Sequence, residues 1–274
     1  MKNIAFGQYY LVDSFLHRMD PRIKVVMTLL YIICATFLCK NVFSFALLML
    51  SALLLIALGK VPYRTVFRSL RPVLIIMVFT SMINVFLKKG DILLLEWKFI
   101  HIYAEGIYDA VFMVVRIAAL IIGTGMLLTY TTTPIALTDA LEDLLSPLKK
   151  LKVPVHDAAM MMTIALRFIP TLVDETDKIM TAQKARGADF SSGSLVSRAK
   201  ALIPILIPLF VSAFRRADEL AVAMECRCYH GGEGRTRMHV LKTHARDVVA
   251  LAVMLLFGAG LVVLNVIGFG YTMR

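Results

Sequence analysis

Two arginines stand in matching settings in this chain, and the chemistry open to them is the first thing to settle. Arg186 closes the run Ala182-Gln183-Lys184-Ala185-Arg186-Gly187, and Arg227 closes Ala223-Met224-Glu225-Cys226-Arg227-Cys228. In each run an alanine stands four residues before the arginine, one helical turn away on the same face. Small neighbours leave a guanidinium free to reach a facing surface, where its planar fork of donors suits carboxylates and backbone oxygens. The attraction of a cation to a helix C-terminus, worth a few tenths to about 1 kcal/mol, accounts for one such arginine. It does not account for the same arrangement twice. Ala185, Arg186, Gly187, Cys226, Arg227 and Cys228 are therefore read as a pair of contact sites for a soluble partner.

The remaining constellations are weaker. Cys226, Cys228 and His230 could bind a soft metal with His239 or His244 as a fourth ligand, but the spacing is poor and unliganded thiols at a helix end are the simpler reading. Asp174, Glu175 and Asp177 resemble a carboxylate cluster for a divalent ion. With Arg167, Lys178 and Lys184 nearby they read better as a solvated charged face, and so do Glu142 and Asp143. No Gly-Lys-Ser/Thr phosphate loop occurs, and Gly231-Gly232-Glu233-Gly234-Arg235 lacks the strand and helix that would frame one. No ATP site, cofactor site or metal site is expected in this chain.

These residues need a scaffold, and its composition defines it. The chain has 274 residues, is 59% hydrophobic and carries a net charge of +11. Its apolar runs are long enough to cross roughly 30 Å of hydrocarbon, so the basic excess marks cytosolic loops and lipid headgroups rather than nucleic acid. The fold class expected is an all-α integral membrane protein with about five transmembrane helices and long cytoplasmic coupling helices. The spans are placed at Ile23–Leu38, Val42–Leu58, Val73–Leu87 (extended back to Leu70), Gly106–Thr129 and Val248–Ile267. Asp20-Pro21 caps the first, and Gly59-Lys60-Val61-Pro62 ends the second ahead of a basic loop with Arg64, Arg68 and Arg71. Lys88–Glu105 suits an interfacial segment, and Arg116, the strong charge deep in a span, is expected to bond backbone carbonyls of neighbouring helices.

Between the fourth and fifth spans lies the polar interlude. Thr131-Thr132-Thr133-Pro134 caps a helix over Ile135–Leu145. Val155–Arg186 reads as a long amphipathic helix bent at Pro170 and ended by Gly187 in a left-handed conformation. Leu195–Cys226 is the second long helix. Its apolar part, Ala201–Phe214, is too short to span and fits the interface. The domains expected are 1–130 with four spans, a cytoplasmic region 131–246 and a last span in 247–274. The basic ends 18–24, 60–71, 131–152 and 235–246 place the N-terminus and the interlude in the cytosol. Cys34 and Cys39 lie in an apolar run, and Cys226 and Cys228 on the reducing side, so no disulfide is expected.

Several stretches together are similar to the transmembrane coupling subunit of energy-coupling factor (ECF) transporters, the EcfT family. They are Asp13-Ser14-Phe15-Leu16-His17-Arg18-Met19-Asp20-Pro21-Arg22-Ile23-Lys24, Thr132-Thr133-Pro134-Ile135, Leu166-Arg167-Phe168-Ile169-Pro170, Ala182 to Phe190, and Phe214 to Leu220. The resemblance covers nearly the whole chain. That family ends its two coupling helices on Ala-Arg-Gly-like motifs. Arg186 matches the first, whereas at the second this chain reads Cys226-Arg227-Cys228-Tyr229, with cysteine where glycine is usual.

The resemblance implies a non-enzymatic subunit of an ABC-type importer in the cell membrane. Its partners would be two cytoplasmic ATPase subunits that bind ATP and Mg²⁺, and a separate membrane subunit that captures a vitamin or other micronutrient. The competing classes are a membrane-bound lipid or prenyl transferase using Asp174 and Asp177, and a self-sufficient carrier. The scarcity of acids in the spans disfavours the carrier.

Overall fold

In the computed structural model the described residues are 9–88, 92–97, 100–188, 190, 194–231 and 241–267. The chain divides into two compact units, one formed by Phe6–Ala140 with Val240–Arg274 and the other mainly by Leu141–His239.

The first unit begins where sequence expects. Pro21 opens α1 (Pro21–Ile33), and the Asp20 carboxylate accepts the Arg22 N–H at 2.9 Å. The helix runs on as a π-helical turn over Cys34–Leu38 and stops at a short connection to α2 (Val42–Gly59). That connection is tied on two sides. The Asn41 amide donates to the Leu264 carbonyl at 3.0 Å, and the Arg116 guanidinium donates to the Cys39 carbonyl at 2.7 Å. Arg116 also lies 5.2 Å over the Phe45 ring, which stacks on Phe112 at 4.6 Å. The intramembrane charge thus bonds a carbonyl of a neighbouring element, as expected.

α2 ends within Gly59-Lys60-Val61-Pro62, as expected: Gly59 is its last residue, and Lys60 takes the left-handed cap with φ 52°. Packing explains the glycine, because a Cβ at Gly59 would fall 2.2 Å from Met126 Cε. The basic loop is also helical: α3 spans Tyr63–Leu87 and passes through Pro72. Arg64, Arg68 and Arg71 recur at i, i+4 and i+7, so they form one exposed stripe on its first turns.

A short antiparallel hairpin follows, β1 (Leu93–Trp97) and β2 (Ile100–Tyr103), with Leu95 opposite Ile102 and Trp97 opposite Ile100. The expected interfacial segment therefore carries strands, whose signal is the alternation Ile100-His101-Ile102-Tyr103. α4 (Ala104–Thr124) then packs on α3 and α2 and continues as a second π-helical turn over Gly125–Thr129. Lys88 and Asp109 form an ion pair between α3 and α4. Pro134 opens α5 (Pro134–Leu144), whose Ala136 N–H is accepted by the Thr133 hydroxyl at 3.3 Å.

A buried polar knot joins the ends of these elements. Lys24, 2% exposed, donates to the Thr131 carbonyl at 2.8 Å and to the His17 carbonyl at 3.4 Å, with Asp20 and Asp247 as its nearby counter-charges. Asp247, fully buried, accepts the Asp20 N–H at 3.1 Å and the His244 N–H at 2.8 Å, capping α8 (Ala245–Ile267). Beside the knot His17 is held below the usual imidazole range by burial. Its Nε2–H faces the Tyr10 and Tyr130 carbonyls at 2.9 and 3.2 Å, and its Nδ1 accepts from Ser14.

The second unit contains a 3₁₀ turn over Ser146–Leu151, α6 (Val155–Ala185) and α7 (Leu195–Cys226). Pro170 lies inside α6, and Pro204 and Pro208 lie inside α7. Among the described residues six helical stretches are long and apolar enough to cross a membrane: Pro21–Leu38, Val42–Gly59, Tyr63–Leu87, Ala104–Thr129, Val196–Cys226 and Ala245–Ile267. The chain is thus an all-α membrane protein, with one hairpin among the described residues. The stretch beyond the five expected is α7: the helix has the expected bounds, Leu195–Cys226, but it is apolar over a longer stretch than Ala201–Phe214.

The knot generates a sharp expectation. Asp247→Ala leaves Lys24 short of a buried counter-charge and removes the acceptor for two backbone N–H groups, so it should cost about 3–5 kcal/mol, read as thermal melting in detergent. Lys24→Met combined with Asp247→Leu should recover part of that loss; a double variant as unstable as the sum of the singles contradicts the assignment.

Candidate functional site

The two arginine-ended helices terminate in the same backbone structure. In α6 the cap is Arg186 (φ −86°, ψ 5°), followed by Gly187 at φ 88°. The Gly187 N–H donates to the Lys184 carbonyl at 3.0 Å, and the Ala188 N–H donates to the Gln183 carbonyl at 3.0 Å. In α7 the cap is Arg227 (φ −94°, ψ 16°), followed by Cys228 at φ 57°. The Cys228 N–H donates to Glu225 at 2.8 Å, and the Tyr229 N–H donates to Met224 at 3.0 Å. Each pair of bonds is a Schellman closure, which satisfies carbonyls that a helix end otherwise leaves open.

Cysteine thus occupies the left-handed position that glycine fills in α6. A side chain there costs roughly 1–2 kcal/mol. His230 offsets part of this, since its Nδ1–H donates to the Cys228 carbonyl at 2.9 Å. Sequence reasoning weighed His230 only as a weak candidate metal ligand and missed this role; the legible signal was its place two residues after a non-glycine cap.

Ala185, Arg186, Gly187, Cys226, Arg227 and Cys228 are all exposed. Among the described residues no carboxylate or carbonyl takes either guanidinium as a partner. Both arginines are the caps that follow the last helical residue, with side chains available to a facing surface.

Two contacts fix the pairing of α6 with α7. Arg216 donates to Glu175 at 2.9 Å, and the Gln183 amide meets the Pro204 carbonyl at 3.5 Å. As the number rises on one helix it falls on the other, so the helices are antiparallel over this stretch. Arg186 therefore lies at the Pro204 end, and α7 runs on for about 35 Å from Pro204 to Arg227 at 1.5 Å per residue. The two caps stand at opposite ends of the pair.

The acidic residues do not gather into a site. Glu175 is engaged by Arg216 and by the Ser212 hydroxyl, whose hydrogen bond holds it below the usual carboxylate range. Glu142 pairs with His156 at 2.9 Å. Among the described residues no three His, Cys, Asp or Glu side chains are arranged to hold a metal ion. Cys226 and Cys228 are exposed free thiols, and His239 lies outside the described residues. The lipid or prenyl transferase reading finds no support in this arrangement.

Known proteins share this chain's pattern throughout. Residues 13–240 match the family model CbiQ, described as a cobalt transport protein. The energy-coupling factor transporter transmembrane protein EcfT of Ruminiclostridium cellulolyticum is 51% identical over 269 residues, which is 98% of this chain and 100% of the relative. The EcfT proteins of Clostridium kluyveri and Bacillus subtilis are 51% and 45% identical, over 91% and 94% of this chain and 92% and 97% of theirs. Identity at this level extends along nearly the full length of both partners, and the chain belongs to the EcfT family, the transmembrane component of energy-coupling factor transporters.

Proposed function

We propose that the chain couples two cytoplasmic ABC-type ATPases to a separate membrane subunit that captures a vitamin or other micronutrient, with Arg186 and Arg227 each docked on one ATPase. ATP and Mg²⁺ are bound and used by those partners, and the chain itself performs no catalysis and holds no cofactor. The N-terminus and the coupling helices face the cytosol, in keeping with the basic ends at 18–24, 60–71, 131–152 and 235–246.

The observation that carries this reading is the repetition of one cap at both ends of an antiparallel helix pair. A single partner surface would need one such end. Two ends about 35 Å apart along the helix suit two like subunits that approach one another. A rigid helix pair converts that approach into a displacement of its own body, which is what a coupling element requires.

Energetics assign the arginines a specific task. An exposed ion pair is worth at most about 1 kcal/mol, so the apolar and small residues around each cap supply most of the affinity. The guanidinium supplies register: bonded to carboxylates or carbonyls in a groove, it fixes the helix end to the moving partner.

Arg186→Ala or Arg227→Ala should therefore lower ATP-driven uptake more than it lowers co-purification of the ATPases. Glu at both positions should release them, and Lys should rescue poorly because it lacks the planar fork. Normal uptake and co-purification by the double Arg→Glu protein contradicts the proposal. The left-handed Cys228 makes a second expectation: Cys228→Gly should raise the melting stability by about 1 kcal/mol with uptake kept or increased. A marked loss of uptake at unchanged stability would instead assign the thiol a contact of its own.

A further inference from the structure

Along the first unit, α1, α2 and α8 leave an open apolar groove of about 320 Å³. Its floor is made of buried Leu16, Tyr31, Leu127 and Met254, and its mouth of Leu50, Leu54 and Val253, which are more than half exposed. The Tyr31 hydroxyl is spent on the Ala119 carbonyl at 3.2 Å, and the Ser51 hydroxyl on the Leu48 carbonyl at 2.7 Å. Nothing in the groove offers a polar partner, so what fills it is hydrocarbon.

Its dimensions narrow the choice. On α2 the lining runs from Leu47 to Leu58, about 16 Å of helix, close to the depth of one leaflet. That length and the apolar lining suit one extended acyl chain lying along α2.

A polar basin of about 330 Å³, lined by Asp13, Ser14, Arg18, Lys60 and Arg246, shares Phe15 with the groove. Lys60 stands two residues beyond Leu58 on α2, and Arg246 lies one turn before Val249 on α8, so the same two helices carry apolar lining into cationic rim. Three cations face one carboxylate there, and Asp13 is already paired with Arg18. The Arg246 Nε–H is buried and has no hydrogen-bond partner among the described residues. A buried guanidinium donor left open beside Lys60 is a ready donor to a phosphate oxygen.

We propose that groove and basin together form a specific site for one anionic glycerophospholipid, its phosphate held by Lys60 and Arg246 and one acyl chain laid between α2 and α8. The proposal rests on the chain spanning a membrane and not on the coupling role of Arg186 and Arg227. A headgroup bridging α2 and α8 would fasten two helices that lie far apart in sequence, next to the buried Asp247 knot.

The test is native mass spectrometry of the full-length chain in mild detergent, after addition of dioleoyl phosphatidylglycerol, dioleoyl phosphatidylcholine or glycerol 3-phosphate. One phosphatidylglycerol should be retained, with about tenfold less phosphatidylcholine and no glycerol phosphate. Lys60→Gln with Arg246→Gln should lower phosphatidylglycerol retention by about tenfold. Leu54→Trp, which fills the mouth from an exposed position, should lower retention of both lipids. Arg64→Gln with Arg68→Gln, on the exposed stripe of α3, should change nothing. Thermal melting of each variant confirms that it is folded. Equal retention of the two lipids, glycerol phosphate bound as well as lipid, or wild-type retention by either the Lys60/Arg246 or the Leu54 variant would overturn the site.

Discussion

Lys24 is the cation around which the membrane unit closes. It sits at the start of an apolar helix, nearly inaccessible, where an unpaired ammonium would cost several kcal/mol. Its stability there requires Asp20 before α1, Asp247 at the start of α8 and the Thr131 carbonyl after α4 to converge on one point. The four positions are separated by more than a hundred residues in places, so the charge acts as a register mark for helices whose other contacts are interchangeable leucines, alanines and methionines. Packing within the bilayer depends on close approach, and the same economy appears at Gly123, where a Cβ would fall 2.1 Å from the Tyr31 ring.

The second unit works on a different constraint. Its helices are long, carry prolines within them and expose much of their surface, yet their ends are closed in the same way. A Schellman closure needs one left-handed residue, and α7 adopts it with cysteine rather than glycine. That a strained residue is tolerated to keep the closure indicates that the direction in which the chain leaves Arg227 matters. The same closure in α6 sets Arg186 in an equivalent frame, so the two guanidiniums are presented alike despite the different residues that follow.

Much of this was legible in the residues. Asp20-Pro21 and Thr133-Pro134 cap helices through short-range rules that depend on a few neighbours, and Gly187 takes the left-handed turn for the same reason. Arg116 could be placed because a charge in hydrocarbon has few ways to be satisfied. The knot escaped notice because Asp247 lies 223 residues from Lys24 and resembles any helix-capping acid. The end of α2 within Gly59-Lys60-Val61-Pro62 was legible too, whereas the close packing of Gly59 against Met126 leaves no local trace. The basic stretch before α3 read as a loop because charge was weighed before the i, i+4, i+7 spacing that puts its arginines on one face. The hairpin was hidden by its shortness. The bounds of α7, Leu195–Cys226, were legible, but its apolar stretch read as ending at Phe214 and so as too short to span.

The native cysteines permit the most direct test of the account, because Cys34 and Cys39 are buried while Cys226 and Cys228 flank Arg227 in the open. Labelling by a membrane-impermeant maleimide should therefore report on the second cap without any substitution. The account predicts no labelling of intact cells, ready labelling in inverted vesicles stripped of ATPases, and strong protection once the ATPases are added back. Labelling from outside intact cells, or equal labelling with and without the ATPases, would contradict it.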